Sequence, residues 1–273
     1  MTDNSIVKAM LEYVPCPNFQ RKLVSPSLKE WGLSQENVKL LEKDANAFFM
    51  AAIFDRRITA EQAWEIPYQL KKRLGHLDVN KIAKMKVDDL AEYIGPKKFG
   101  SSLHRNYNVM SSCLVSACQL LIDKYNSFAG NIWEEDRRVF EVQRKLLEFK
   151  GIGQKIANML IRLLITYYGV TLTGWRDVDI AVDRHVARVF LRTSLIRGKI
   201  GKTKYYIDEI RDDIIRRARE LFPKYPGALD EPAFSIGKYW CTVEEAYCDY
   251  ENEPCPLTKA CPKTRKNYQV ITE

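Results

Sequence analysis

Apolar residues recur at helical spacing through most of the chain, and the patterned stretches carry their own start and stop signals. Over 44–54, Ala47, Phe48, Met50, Ala51 and Phe54 predict a helix that is apolar nearly all round, hence fully or nearly buried. It ends in Asp55-Arg56-Arg57-Ile58, after which Thr59-Ala60-Glu61-Gln62 reads as a capping box that starts a new helix. Arg56 and Arg57 are thereby placed in an exposed turn between helices. Short helical segments follow, broken at Gly75, at Leu77-Asp78 and at Gly95-Pro96. A long helix is predicted from Ser101 to Asp123, and an amphipathic one around Val139, Val142, Leu146 and Leu147. Residues 205–222, with Tyr205, Ile207, Ile210, Ile214, Ile215 and Leu221, form another, closed by Pro223, Pro226 and Gly227. Before residue 45 two helical patterns start, near Ser25-Pro26 and near Ser34. No strand pattern of any length and no internal repeat is evident, so the fold class is all-α.

One stretch organises the rest. A helix runs into the glycine hairpin Phe149-Lys150-Gly151-Ile152-Gly153, and a second helix opens at once on Gln154-Lys155, its apolar set Ile156, Leu160, Leu163 and Leu164 facing a core. Two glycines permit a tight turn, and the unpaired N–H groups and positive end of the following helix point outward with it, which makes a phosphate cradle. Further on, Asp183 precedes Val186, Val189 and Phe190 at helical spacing, which predicts an N-cap. A lysine and a capping carboxylate flank the cradle in the sequence.

Composition narrows the partner. A net charge of +8 and a pI near 9.0 favour a polyanion, because Lys and Arg that neutralise phosphates release condensed counterions. No apolar run approaches the length of a membrane span, and Met1-Thr2-Asp3-Asn4 does not begin a signal peptide, so no membrane partner is expected. Lys97, Lys98, His104 and Arg105 cluster before the long helix, either as phosphate ligands or as its wet face. Cys113 and Cys118 fall in an apolar helix and read as core. Cys16 receives no role.

Four of the seven cysteines gather near the C-terminus. Cys241, Cys248, Cys255 and Cys261 are separated by six, six and five residues, a ligand set for a cubane iron–sulfur cluster or a zinc ion. Zinc sites pair their ligands at short spacings and no such pair exists here, which favours the [4Fe-4S] cluster.

The hairpin segment through Asn158, followed by Ile180-Ala181-Val182-Asp183-Arg184-His185-Val186-Ala187-Arg188-Val189, resembles the helix-hairpin-helix DNA glycosylases, and within them the endonuclease III branch. The resemblance covers about residues 46–262. It implies two helical lobes: a six-helix barrel-type lobe over 46–165 holding the helix-hairpin-helix (about 139–165), and a lobe from 1–45 plus 166–273 holding the iron–sulfur loop 241–261, with a DNA cleft between. It implies Lys155 and Asp183 as the catalytic pair, Arg57 as the wedge that enters the duplex where a base leaves, with Arg56 able to trade roles, and Lys150, Gly151, Gly153 and Gln154 as DNA contacts. Arginine at the wedge is a departure from the family's pattern. So are the longer middle cysteine gap, filled by Asp249-Tyr250-Glu251-Asn252-Glu253-Pro254, and Glu244 and Glu245 in a loop that is basic in the resembled enzymes. Lys263, Arg265 and Lys266 are the substitutes at hand.

The implied activity is base excision with strand cleavage by a monomer acting on double-stranded DNA that contains a damaged or mismatched base. The base is flipped out, a neutral lysine amine attacks the sugar C1′, and the resulting Schiff base permits β-elimination. An intracellular, reducing compartment where DNA is found is implied with it. Two other readings stay open: a glycosylase for an oxidised purine or a mismatch on the same scaffold, and a non-catalytic helix-hairpin-helix module that only grips phosphate. The link Gly169 to Asp179, with Trp175, either shapes a base pocket or fills a surface gap.

Overall fold

The computed structural model describes residues 3–13, 32–199, 201–249, 254–263 and 266–271. The helix predicted near Ser25-Pro26 lies outside them, as do Cys16 and Arg265. The chain divides into two compact units, residues 22–173 and residues 1–21 with 174–273. Helix α1 (Asp3–Tyr13), which the sequence pattern did not disclose, belongs to the second.

The first unit holds α2 (Gln35–Lys43), α3 (Ala45–Phe54), α4 (Ala60–Leu74), α5 (Val79–Ala83), α6 (Val87–Ile94), α7 (Tyr107–Tyr125), α8 (Asn131–Glu134), α9 (Val139–Leu147) and α10 (Gln154–Thr166). Local chemistry sets many of these ends. Asp44 accepts from the Asn46 and Ala47 N–H groups at 2.9 and 3.2 Å, and the Thr59–Gln62 box closes in both directions at 3.3 and 3.4 Å. Gly75 ends α4 in the left-handed conformation, its N–H bonded to the Lys71 carbonyl. Helix α3 is the centre of this unit: from Ala47 to Phe54 no residue is more than 1% exposed. Phe48 meets Trp64 of α4 edge-on, and Phe49 meets Phe149 of the hairpin. Because α2 packs on α3 and α4, the unit begins before residue 46.

The long helix starts at Tyr107 rather than Ser101. Residues 101–106 are tied down by bonds outside any helix ladder instead: the Leu103 N–H donates to the Ile94 carbonyl at 2.7 Å, and Ser102 Oγ donates to the His104 carbonyl at 2.6 Å. His104 is buried, so it belongs neither to a phosphate cluster nor to a wet helix face. Lys97 pairs with Glu92, and Lys98 lies over the Tyr93 ring. Cys113 and Cys118 are core residues, as their apolar neighbours require.

The second unit adds α11 (Arg184–Arg192), β1 (Lys204–Tyr206), α12 (Ile207–Leu221), α13 (Asp230–Tyr239) and β2 (Gln269–Ile271). The expectation of no strand is corrected by β1 and β2, a three-residue parallel pair with Tyr205 opposite Val270. Tyr205 therefore lies in a strand rather than in the predicted helix. Its hydroxyl accepts from the Lys199 N–H at 2.7 Å, a partner that helical spacing does not reveal. Helices α11 and α13 touch so closely that a Cβ on Gly237 would sit 2.6 Å from the His185 carbonyl oxygen. Val186, Val189, Phe190, Ile214 and Ile236 make the core between the helices of this unit.

Candidate active site

Gly151 and Gly153 do different work in the hairpin. Gly151 has φ +91°, and a Cβ there would meet Cys113 Sγ at 2.8 Å and Arg56 Nη1 at 2.9 Å, so both conformation and space demand glycine. Gly153 has φ −100°, which any residue adopts, and a Cβ there would meet nothing within 4 Å. It is exposed, caps α10 without a side-chain bond, and leaves the first turn of that helix open to an outside acceptor. Gln154, next to it, is exposed, while Lys150 reaches Ser112 Oγ on α7 at 2.7 Å.

Lys155 is the second residue of α10 and is half-buried. Its Nζ lies 3.3 Å from Asp55 Oδ1 and 3.7 Å from Met159 Sδ, one turn further along the helix. Asp55 ends α3, and its other oxygen accepts from Trp64 Nε1 at 3.1 Å. Sequence reasoning took Asp55 only as the end of a helix; the signal was a carboxylate next to the arginine turn.

Arg57 is exposed and left-handed at φ 58°, a conformation that an arginine adopts only where its surroundings impose it. Arg56 is turned inward against Gly151 and Cys113. Its N–H donates to the Phe54 carbonyl at 2.7 Å, and its carbonyl accepts from His104 Nε2 at 2.8 Å, while His104 Nδ1 accepts from the Asn106 N–H at 2.9 Å. That pair of bonds fixes the neutral tautomer with its proton on Nε2. Burial holds the His104 pKa below its ordinary value. Burial likewise raises the Cys113 thiol and pushes Cys118 to about 12, so neither is a reactive thiolate.

In the second unit, Asp183 is the N-cap of α11, accepting from the His185 and Val186 N–H groups at 2.8 and 2.9 Å. Two arginines of the same helix, which sequence reasoning passed over, run to the cysteine loop. Arg188, only 2% exposed, donates to the Gly237 carbonyl at 2.5 Å and to the Cys241 carbonyl. Arg192 donates to the Thr242 carbonyl at 2.6 Å, to the Tyr268 carbonyl at 2.8 Å and to Cys241 Sγ at 3.5 Å. Their signal was a four-residue repeat of arginine on a helix otherwise rich in core residues.

Cys241, Cys248, Cys255 and Cys261 line one cavity together with Val189, Ile236 and Leu257. The loop closes through a bond from the Cys255 N–H to the Cys248 carbonyl and from the Cys261 N–H to the Leu257 carbonyl. Burial raises the Cys248 and Cys261 thiols and pushes Cys255 to about 12, with the neighbouring cysteines adding in the same direction. Among the described residues, no three of His, Cys, Asp and Glu converge on a point where one ion would sit. Glu244 and Glu245 are exposed, and Lys263 pairs with Asp249 at 2.7 Å.

No helix among the described residues is long and apolar enough to cross a membrane. A family model, HhH-GPD superfamily base excision DNA repair protein, matches residues 50–217. Endonuclease III of Buchnera aphidicola subsp. Schizaphis graminum is 26% identical over 161 residues, covering 59% of this chain and 61% of that protein. Its counterpart from Buchnera aphidicola subsp. Acyrthosiphon pisum is 25% identical over 162 residues, 59% of this chain and 60% of its own length. The chain thus spans about three fifths of the length of these relatives. Among solved structures, a non-covalent Endonuclease III–DNA complex superimposes with TM-score 0.59 at 18% identity, over 97% of this chain and 98% of that one. A trapped Endonuclease III–DNA covalent intermediate gives 0.58 at 19%, over 97% and 99%, and a thermostable thymine-DNA glycosylase 0.57 at 15%, over 96% of each. These likenesses are likenesses of fold. With the family model matching more than half of its length, the chain belongs to the HhH-GPD superfamily of base excision DNA repair proteins.

Proposed function

We propose that the protein is a base-excision DNA glycosylase with an associated AP lyase, acting as a monomer on double-stranded DNA that carries a damaged or mismatched base. The observation that carries this reading is the position of Lys155 in the first turn of α10, directly behind the open cradle at Gly153. A cradle alone grips phosphate. A half-buried amine beside it, oriented by a carboxylate, supplies a nucleophile as well.

In this reading the target nucleotide leaves the stack at a cost of about a few kcal/mol, and the exposed, left-handed Arg57 fills the gap it leaves. The hairpin residues Lys150, Gly151, Gly153 and Gln154 hold the backbone. Lys155 displaces the base from C1′, and the protonated Schiff base makes the adjacent sugar proton acidic enough for β-elimination. Asp183 stabilises positive charge developing on the sugar and assists proton transfers. That the related Endonuclease III is known as a trapped covalent intermediate with DNA supports the same chemistry here. Cys241, Cys248, Cys255 and Cys261 hold a [4Fe-4S] cluster, which when bound cross-links the loop and stabilises the second unit. An intracellular, reducing compartment follows from thiolate ligation.

Borohydride trapping tests the reading. Wild-type protein should be locked covalently to lesion-bearing duplex, and Lys155→Gln should abolish both trapping and base release while keeping DNA binding within a few-fold. A non-catalytic phosphate-gripping module would bind the duplex with neither trapping nor base release, and that result would end the proposal.

A further inference from the structure

The carboxylate next to Lys155 has no part in the chemistry so far. Asp55 is held from two sides. Trp64, fully buried and packed on Phe48, donates its indole N–H to Oδ2 at 3.1 Å, which leaves Oδ1 turned to Lys155 Nζ at 3.3 Å. The backbone is fixed too, since the Asp55 N–H donates to the Ala52 carbonyl at the end of α3, the most deeply buried helix of its unit. The Asp55 side chain is 11% exposed and the Lys155 side chain 30%. A lysine kept only to neutralise phosphate gains nothing from a buried carboxylate that already neutralises it. A nucleophilic lysine does, because its ammonium must lose a proton before it has a lone pair to offer.

We propose that Asp55 is the proton acceptor that turns the Lys155 ammonium into the attacking amine. The proposal rests on the reading of Lys155 as the nucleophile. In the step, one Nζ–H proton passes to Oδ1, leaving a neutral amine and a neutral carboxylic acid. The amine's lone pair becomes the new N–C1′ bond, the electron pair of the glycosidic bond leaves with the base, and the departing base takes up one proton, so that returning the Asp55 proton balances the cycle. In water a transfer from an ammonium to a carboxylate is uphill. A bound duplex excludes water, and loss of water penalises the two separated charges more than the neutral acid and amine. Trp64 and Met159, which also contact the pair, do not titrate in this range. Arg56, the next residue in the chain, is turned to Gly151 and Cys113.

The test compares wild type, Asp55→Asn and Asp55→Glu in borohydride trapping on duplex with a preformed abasic site, between pH 5.5 and 9. Asn keeps the size and the bond from Trp64 but cannot take a proton. An internal acceptor makes the wild-type trapping rate flat across neutral pH, since the proton never leaves the pair. Asp55→Asn should bind the duplex as wild type does, trap about a hundredfold more slowly at pH 7, and climb about tenfold per pH unit as solvent takes over the proton. Asp55→Glu should regain part of the rate and the flat profile. Equal trapping by wild type and Asp55→Asn across the range would overturn the proposal, as would a loss of the same factor at every pH. If Asp55→Asn does not fold, the wild-type profile alone decides: a tenfold climb per unit through neutrality contradicts an internal acceptor. Wild type that is never trapped on lesion or abasic DNA would instead sink the reading of Lys155 itself, and this proposal with it.

Discussion

The hairpin at 149–153 and the cysteine loop at 241–261 are both tight and irregular, yet they are held by opposite means. The hairpin's strained position is paid for locally, by one left-handed glycine packed under Arg56 and Cys113, and its outer glycine is left open. The cysteine loop is held from a distance, by Arg188 and Arg192 reaching out of α11 to its carbonyls and to Cys241 Sγ. A turn built on backbone geometry presents its N–H groups outward. A loop built on side-chain clamps turns its donors inward, around a cavity.

The largest expected effect breaks the second arrangement. Arg188→Ala leaves the carbonyls of Gly237 and Cys241 without their donor and should cost about 3 kcal/mol of stability, measured by chemical denaturation. Wild-type protein should contain iron and inorganic sulfide in equal amounts, and Arg188→Ala less of both per chain. Stoichiometric zinc in wild type, or unchanged stability and iron in the variant, would contradict this account of the loop.

The hairpin offers a paired comparison. Gly151→Ala forces a left-handed alanine into Cys113 and Arg56 and should destabilise by about 1–3 kcal/mol. Gly153→Ala meets no neighbour and should leave the melting temperature almost unchanged, yet weaken duplex binding if the hairpin is the phosphate cradle proposed above, because its methyl group would then crowd the bound phosphate. If the two substitutions lower stability alike, the division of labour between the glycines is wrong.

A smaller effect concerns pH. Burial depresses the folded-state pKa of His104, so its neutral ring contributes stability fully above the unfolded value of about 6.5, and that contribution is lost as pH falls through the depressed folded value. Melting temperatures at pH 7.5 and 5 should therefore differ more for wild type than for His104→Gln. His185, depressed mainly by burial as well, leaves a residual slope of the same sign in the variant. Equal slopes would mean that His104 does not sense the proton.

What the sequence disclosed follows the same division. The Thr59–Gln62 box, the Asp183 cap and the hairpin glycines are legible because their partners lie within a few residues. In the sequence His104 looks like part of a basic surface cluster because its partner, the Arg56 carbonyl, is distant in the chain. Tyr205 fits a helical pattern in the sequence for the same reason: its strand partner Val270 lies near the C-terminus. Asp55 was invisible as a partner of Lys155, since nothing local distinguishes an ion-paired aspartate from one that merely ends a helix. The cysteines were legible as a ligand set but the arginines that hold them were not, because a buried arginine has the pattern of any polar residue on a helix.

If the amine of Lys155 forms the covalent link to DNA, as proposed, the trapped adduct will map to that residue. Wild-type protein reduced on lesion duplex, digested and sequenced by mass spectrometry, should carry the sugar remnant on the peptide that contains Lys155, at that residue. A remnant on Lys150, on any other lysine or on the N-terminal amine would contradict the account.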